Sequence, residues 1–571
     1  MDVLLWLMML VPIATGVVIA VRPGDHARSL ALFGTLLNVV IAALFLGRFD
    51  FTSAGFQATT DVEWLPALGL SLSLGVDSVA ALLIALTALL GPICVLASWS
   101  AIQSRQRLFY GWFMILNTAM VGVFAARDLA LFYICFEFTL LPMFVIINEF
   151  GSSNRKKAAI KFFLYTFTGS LIALAGLVFV AGFVANRTGE FSLDIGTLTE
   201  QAKFMTPTQQ NWVLVAMLAG FAVKVPLFPV HTWLPLAHTE APTAGSVILA
   251  GVLLKLGTYA IYRFVLPFTP EAAYTLGPAI AILSIIGIIY AGLICWIQTD
   301  VKKLVAYSSV SHLGFCVLGL FALNTAGLTG SVLYMLNHGL STGALFLLIG
   351  FMYERYHTRD MREIGGLASK MPVWSTFMVF FVMASVGLPG LNGFVSEFLC
   401  TMGAFQSYTA WTEPGELGTS VGATWGPLGP WFAAFAAIGV IVAAIYLLTM
   451  TAKVVWGEYR EPAGHKAHPT LPTDLNAREI ACLAPLAALC LFFGLYPKPL
   501  IDALEPPVNE QVRFIENAVK GIGETPESLI ILPGRGLDPV EELGPGETRN
   551  PDGTIESTPQ PIIDPDAGGD N

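Results

Sequence analysis

Apolar runs of eighteen or more residues recur along the 571-residue chain as far as about residue 500, and each is long enough to cross a hydrocarbon core of roughly 30 Å as a helix. The pattern predicts an all-α polytopic membrane protein with about fourteen transmembrane helices: 3–21, 29–47, 77–100, 109–126, 128–148, 161–185, 211–236, 243–263, 274–296, 304–323, 328–352, 372–403, 431–453 and 477–496. The first run resembles a signal sequence in length. It lacks a basic segment ahead of it, so a retained helix is expected.

Basic residues divide unevenly among the loops. Those after odd-numbered spans hold eighteen Lys and Arg, including Arg155, Lys156, Lys157, Lys302, Lys303, Arg355, Arg359, Arg362 and Lys370. Those after even-numbered spans hold five: Arg48, Arg127, Arg187, Lys203 and Arg263. The positive-inside rule then places the odd loops in the cytoplasm and both termini on the opposite, positive side. The tail holds five more, which leaves two of the thirty basic residues, Lys224 and Lys255, near the centres of spans. A lysine at mid-bilayer costs on the order of 3 kcal/mol or more, so both are candidate functional groups.

Two spans contain helix breakers. Lys224 precedes Pro226, Pro229 and Pro235 in GFAVKVPLFPVHTWLP, and proline both lacks an amide hydrogen and clashes with the preceding turn. Gly387, Pro389, Gly390 and Gly393 precede Glu397 in SVGLPGLNGFVSEF. Non-helical backbone at membrane depth persists only where protein or water satisfies it, and paired broken helices point to a transport site. Spans 4–8 and 9–13 form two sets of five with the broken helix fourth in each. Because five is odd, the repeats are inverted. The expected organisation is an N-terminal three-helix segment (1–108), repeat 1 (109–263), repeat 2 (274–456), a last span (477–496) and an acidic extramembrane tail (497–571).

The candidate proton-transfer groups are Glu137, Lys224, Lys255, His312, His338 and Glu397. Burial favours the neutral form of a carboxylate and of a lysine, and each keeps the other charged when they approach, so a Glu137–Lys224 pair that separates can hand on a proton. The alternative is a static salt bridge that fixes helix register, although buried pairs are poor net stabilisers. Histidine passes a proton between its two nitrogens near neutral pH. His312 and His338 fall between Lys255 and Glu397 in chain order, with Ser308, Ser309, Ser311, Asn337, Ser341 and Thr342 placed to hold bridging water. Lys255, both histidines and Glu397 have static hydrogen-bonded alternatives too. His231, His238 and Glu240 follow the first break and are candidates to gate cytoplasmic access or to serve as loop residues. His357, Arg359 and Asp360 read as a charged cytoplasmic loop with a solvated or subunit-contacting face.

Composition agrees: 55% of residues are hydrophobic and 12% charged, against about 25% charged in average soluble domains. The net charge of -10 owes much to the stretch from Lys498 to Asn571, with fifteen acidic against five basic residues. Within it, 507–523 shows helical spacing and the remainder reads as extended or disordered. Seven cysteines lie in apolar runs with no CxxC pair, which argues against disulfides, zinc or iron–sulfur clusters in this chain. No nucleotide loop or catalytic triad stands out, and nothing suggests nucleic acid. The lipid bilayer is the first partner.

The stretches GFAVKVPLFPVHTWLPLAHTEAPTAGSVILAGVLLKLGTYAIYR and DVKKLVAYSSVSHLGF resemble the antiporter-like subunits of respiratory complex I and of multi-subunit cation/proton antiporters. Glu397, where the related L and N subunits and the cation/proton antiporter homologues generally carry lysine, together with FEFTLLPM and ERYHTRDMREIGGL, resembles the M-type subunits of bacterial NADH–quinone oxidoreductase, counterparts of mitochondrial subunit 4. The resemblance implies a proton-translocating subunit in a bacterial inner membrane, beside antiporter-like L and N neighbours. It implies Glu137 and Lys224 as a first-half pair, Lys255 and the histidines as a central axis, and Glu397 as the end. FMN, iron–sulfur clusters and quinone are then expected in partner subunits. A sodium/proton antiporter subunit, an energy-converting hydrogenase subunit and a charge-containing scaffold are the competing readings.

Overall fold

The computed structural model describes residues 1–22, 26–65, 70–407, 424–464, 468, 471–521, 547–549 and 555–557. Among them, twelve helical segments are long and apolar enough to cross a membrane: Asp2–Val21, Ala27–Leu46, Ser78–Ala97, Gln106–Ala125, Leu129–Phe150, Arg155–Thr188, Thr243–Phe268, Pro270–Ile297, Val301–Leu320, Thr325–Tyr356, Pro430–Val454 and Ala477–Leu495. Each matches an expected span. The other two expected spans, 211–236 and 372–403, are interrupted helices. One runs Pro207–Lys224 and resumes at Leu234–Glu240; the other runs Pro372–Val386 and resumes at Asn392–Gln406.

The arrangement is inside-out relative to a water-soluble bundle. Thr243–Phe268 and Thr325–Tyr356 have their apolar windows fully buried, and Val301–Leu320 nearly so, although these carry the lysine and both histidines of the candidate line. Asp2–Val21 and Pro430–Val454 turn Val21, Trp431 and Ile441 outward. Lipid tails are as apolar as leucine, so outer helices gain nothing by hiding such groups; polar groups are what must be enclosed.

Small residues let the inner helices approach. A Cβ on Gly220 would lie 2.4 Å from the Gly169 carbonyl oxygen, which fixes the contact between Arg155–Thr188 and Pro207–Lys224. Asp77, Asp128, Asp194 and Asp300 each cap a helix by accepting amide hydrogens of its first turn, as their short acceptor side chains favour.

Two elements lie outside the expected spans. Gln57–Leu65 and Leu70–Val76 pair as an antiparallel hairpin, with Thr60 opposite Leu74 and Val62 opposite Leu72, in the stretch between the second and third expected spans. Alternation is present there (Leu70, Leu72, Leu74, Val76) but merges with the apolar run that follows. The helix Lys498–Lys520 covers most of 507–523, where the sequence shows helical spacing, and belongs to the compact unit Met1–Gly521. Its Asn509 accepts a hydrogen bond from Thr325 at 2.8 Å. Beyond it, Glu547–Arg549 pairs with Ile555–Ser557; the rest of the tail lies outside the described residues.

Gly220→Val is expected to force the two helices apart and destabilise the fold by roughly 1–3 kcal/mol, the usual range for overpacking. Gly182→Val, where a Cβ meets nothing within 4 Å, is the control. Thermal unfolding of the detergent-solubilised protein measures the difference; equal midpoints would contradict the close contact.

Candidate functional site

At the first break the helix stops just after Lys224 because Pro226 and Pro229 cannot donate to the turn behind them. The released groups are answered within the protein. The Leu227 amide donates to the Ala222 carbonyl at 2.8 Å, and the Trp233 indole donates to the Val223 carbonyl at 2.8 Å. A Cβ on Gly257 would fall 3.1 Å from Lys224 Cβ and 2.9 Å from the Val225 nitrogen, so the glycine seats the helix carrying Lys255 directly against the break.

Lys224 is buried. Its ammonium donates to Thr139 Oγ1 at 3.3 Å and sits 4.3 Å from the centre of the Phe136 ring. Thr139 stands where the helix Leu129–Phe150 is interrupted, two residues after half-buried Glu137. Glu137 and Lys224 form no ion pair, and neither carboxylate oxygen of Glu137 has a hydrogen-bond partner among the described residues. The two expected partners therefore face the same break at a distance, with threonine and an aromatic face supporting the cation in the place of the carboxylate.

At the second break Gly387 adopts φ +82°, and a Cβ there would lie 2.7 Å from Glu397 Oε2. Glycine is required by the backbone and by the carboxylate alike. One turn along, Asn337 and Asn392 exchange amide-to-carbonyl hydrogen bonds at 2.8 and 3.2 Å, which staples the resumed helix to Thr325–Tyr356.

Four of the six candidates form one buried line. Lys255, fully enclosed, has Nζ 2.6 Å from His338 Nδ1 and also donates to the Ala250 carbonyl. That carbonyl belongs to the wide turn Leu249–Leu253, whose i→i+5 bonding loosens the usual ladder. The His338 and His312 rings are 6.0 Å apart. His312 Nδ1 lies 3.2 Å from Glu397 Oε1 and 2.7 Å from the Tyr334 hydroxyl, which itself donates to Glu397 Oε1 at 2.5 Å. Tyr446 reaches His312 Nε2 at 3.3 Å.

These contacts set the proton inventory. Tyr334 has a single hydroxyl hydrogen and gives it to Glu397, so Nδ1 of neutral His312 is the donor toward Tyr334 and Glu397. Nε2 is then free to accept from Tyr446. A proton arriving at Nε2 turns Tyr446 from donor to acceptor and leaves Nδ1–H ready for the carboxylate.

Tyr334 and Tyr446 were not among the residues singled out from the sequence. Tyr334 precedes His338 by four residues and so shares its helix face, a signal available in the sequence; Tyr446 sits in a plain apolar run. The expected water-holding residues bond mainly to backbone: Ser308 and Ser309 to the Val305 carbonyl, and Ser311 to that of Ile288. Buried His231 lies 5.8 Å from both Phe228 and Tyr290. Two loop readings change. Arg359 donates to the Thr239 carbonyl at 2.6 Å and pairs with Asp300, and Lys302 is buried with its ammonium on the Ala241 carbonyl.

Fold and buried line together define a multi-span, antiporter-like membrane protein. Comparison with known proteins is consistent and finer. Residues 126–413 match the family described as NADH:quinone oxidoreductase/Mrp antiporter, and 51–123 match the amino terminus of NADH-ubiquinone oxidoreductase chain 4. The chain is 40% identical over 527 residues to NADH-quinone oxidoreductase subunit M of Rhodobacter capsulatus (90% of this chain, 97% of the relative). It is 39% identical over 510 residues to NADH-ubiquinone oxidoreductase chain 4 of Arabidopsis thaliana (89% and 96%). Among solved structures, a chain of respiratory complex I from Thermus thermophilus superposes with TM-score 0.77 at 28% identity, covering 90% of this chain and 99% of that one. A chain of the Mrp complex from Dietzia sp. DQ12-45-1b has TM-score 0.75 at 20% identity (91% and 99%) and shares the fold. The chain belongs to the NADH-quinone oxidoreductase subunit M/chain 4 family.

Tyr334→Phe keeps the ring and removes the hydroxyl donor to Glu397. Its infrared difference spectrum is expected to shift the Glu397 carboxyl band, identified by its loss in Glu397→Gln. Tyr133→Phe, whose hydroxyl serves the Ser170 carbonyl at 3.3 Å, should leave that band in place. An unmoved band in Tyr334→Phe would refute the bond.

Proposed function

We propose that protons cross this chain along Glu137, Lys224, Lys255, His338, His312 and Glu397. The chain is an antiporter-like membrane-arm subunit of NADH:quinone oxidoreductase and takes part in proton translocation. The observation that carries the route is the contact series from Lys255 through His338 and His312 to Glu397.

In this reading the interrupted segments also cross the bilayer, making fourteen spans and two inverted repeats of five. The loop charges put both termini on the positive side of a bacterial inner membrane. Lys255 gives a proton to His338 Nδ1. His338 releases the proton of its other nitrogen toward His312, and His312 takes it at Nε2 while its Nδ1 proton passes to the carboxylate of Glu397. Each histidine ends with the proton count it began with. Where two groups stand beyond hydrogen-bond distance, as the two histidine rings do, transfer runs through an intervening water. Glu137 and Lys224 serve as the first-half pair; their separation lets the charge on one respond to movement of the other. FMN, iron–sulfur clusters and quinone belong to partner subunits, and the antiporter-like L and N subunits are the neighbours.

The test uses the complete complex in inside-out membrane vesicles. Lys224→Ala, Lys255→Ala and Glu397→Gln are each expected to lower NADH-driven proton uptake by on the order of tenfold or more, the scale of a lost acid–base group, with the complex still assembled. Normal assembly with full pumping would leave the buried charges a packing role and refute the route. Pumping that requires sodium would favour the antiporter reading.

A further inference from the structure

Where Asp2–Val21 packs against Gln106–Ala125 the contact is incomplete, and the two helices leave a groove of about 700 Å³. Small residues set its depth. Gly16 and Ala20 face it from the first helix and Gly111 from the second, where an added Cβ would meet nothing within 4 Å. Trp112 and Ile115 wall it. Along the second helix the lining runs only from Arg105 to Ile115. The eight residue steps from Arg107 to Ile115 cover about 12 Å at a rise of 1.5 Å each. That is close to half of a hydrocarbon core of roughly 30 Å. The groove is one leaflet deep.

Its rim is cationic. Arg105 and Arg107 stand at the open end, which the loop charges assign to the cytoplasm. Arg105 pairs with Glu149. The exposed guanidinium of Arg107 has no hydrogen-bond or ion-pair partner among the described residues. The helix beginning here also lacks a cap: Arg105 is its N-cap residue, at φ +52°, and makes no side-chain cap bond. It cannot make one, because a guanidinium carries donors only, whereas capping needs a short acceptor. First-turn amides, helix dipole and free guanidinium all suit an anion supplied from outside the chain.

We propose that this groove binds one anionic phospholipid of the cytoplasmic leaflet. Its phosphate lies on Arg107 and the first turn of Gln106–Ala125, and an acyl chain fills the space beside Gly16, Ala20 and Gly111. Such a lipid has an anionic head at the interface and an apolar chain that reaches mid-bilayer, the same two parts in the same order as the groove. Basic pockets between helices on the cytoplasmic side are the common form of lipid headgroup site. A zwitterionic head would bring a cation of its own to a rim that is already positive. A neighbour's transmembrane helix would continue into the second leaflet, where the groove has ended. The bound lipid braces Asp2–Val21 to the helix whose Phe109 meets Phe150 edge-on at 5.1 Å, at the end of the segment bearing Glu137. The choice of leaflet rests on the orientation proposed above; the site itself does not.

The experiment uses the complete complex in phosphatidylcholine nanodiscs. These are doped with phosphatidylglycerol carrying a photoreactive diazirine in its acyl chain, or with phosphatidylcholine carrying the same chain. After illumination, mass spectrometry of peptides locates the label. Peptides containing Gly16–Ala20 and Arg107–Ile115 are expected to take up the phosphatidylglycerol probe several-fold more than the phosphatidylcholine probe. Arg107→Glu should abolish that preference. Gly111→Leu, which fills the groove, should lower labelling by both probes several-fold, while Gly182→Leu, at another glycine that faces open space, should not. Equal labelling by the two probes in wild type, or a preference that survives Arg107→Glu, overturns the headgroup site. Absence of label from both peptides overturns the proposal in favour of a neighbouring subunit covering this face. If Arg107→Glu fails to assemble, the two-probe comparison in wild type decides alone. An inverted orientation would leave the same peptides labelled, so the site and the orientation fail separately.

Discussion

A peptide group at membrane depth has no bulk water to bond, and this requirement governs the two helix breaks on which everything else rests. Opening a helix releases amides and carbonyls that other parts of the protein must engage. At the first break an indole and a few backbone bonds do so; at the second, a reciprocal pair of asparagine amides joins the backbone bonds. Those partners come from the helices that also carry ionisable groups. Satisfying the backbone and assembling the polar line are therefore one packing problem, solved by the same contacts.

The two breaks solve it differently. Lys224 leans on a threonine and the face of a phenylalanine, with its carboxylate counterpart held away. Glu397 is gripped by a tyrosine and a histidine and pressed against a glycine that leaves no room for a side chain. A cation tolerates the weakly polar face of an aromatic ring, whereas a carboxylate needs real donors. The glutamate at the second break is accordingly in direct contact with Tyr334 and His312.

Much of this was legible in the sequence because membrane chains are severe about charge. Lys224 and Lys255 emerged simply as the basic residues that loops could not accommodate, and both breaks announced themselves through proline and glycine. Lys302 escaped the same logic. It is the second residue of a helix and looks like loop charge, and only the packing of Ala241 above it shows that its head is enclosed. Tyr334 escaped because tyrosine in an apolar run reads as filler; its role depends on a contact with Glu397, sixty-three residues away in sequence. The direct Glu137–Lys224 approach is absent because Thr139 occupies the contact, a matter of angstroms that residue types do not encode.

The helix that carries Lys255 contains two wide turns, Leu249–Leu253 and Ile261–Val265, on either side of the lysine. A wide turn is an α-helix with one surplus residue. Removing a single residue from the first would restore ordinary winding and leave the flanking helix in register. It would also return the Ala250 carbonyl to the regular ladder, and the ammonium of Lys255 would lose that resting place. Chain length, more than side-chain identity, is thus the variable by which this stretch sets how firmly its lysine is held.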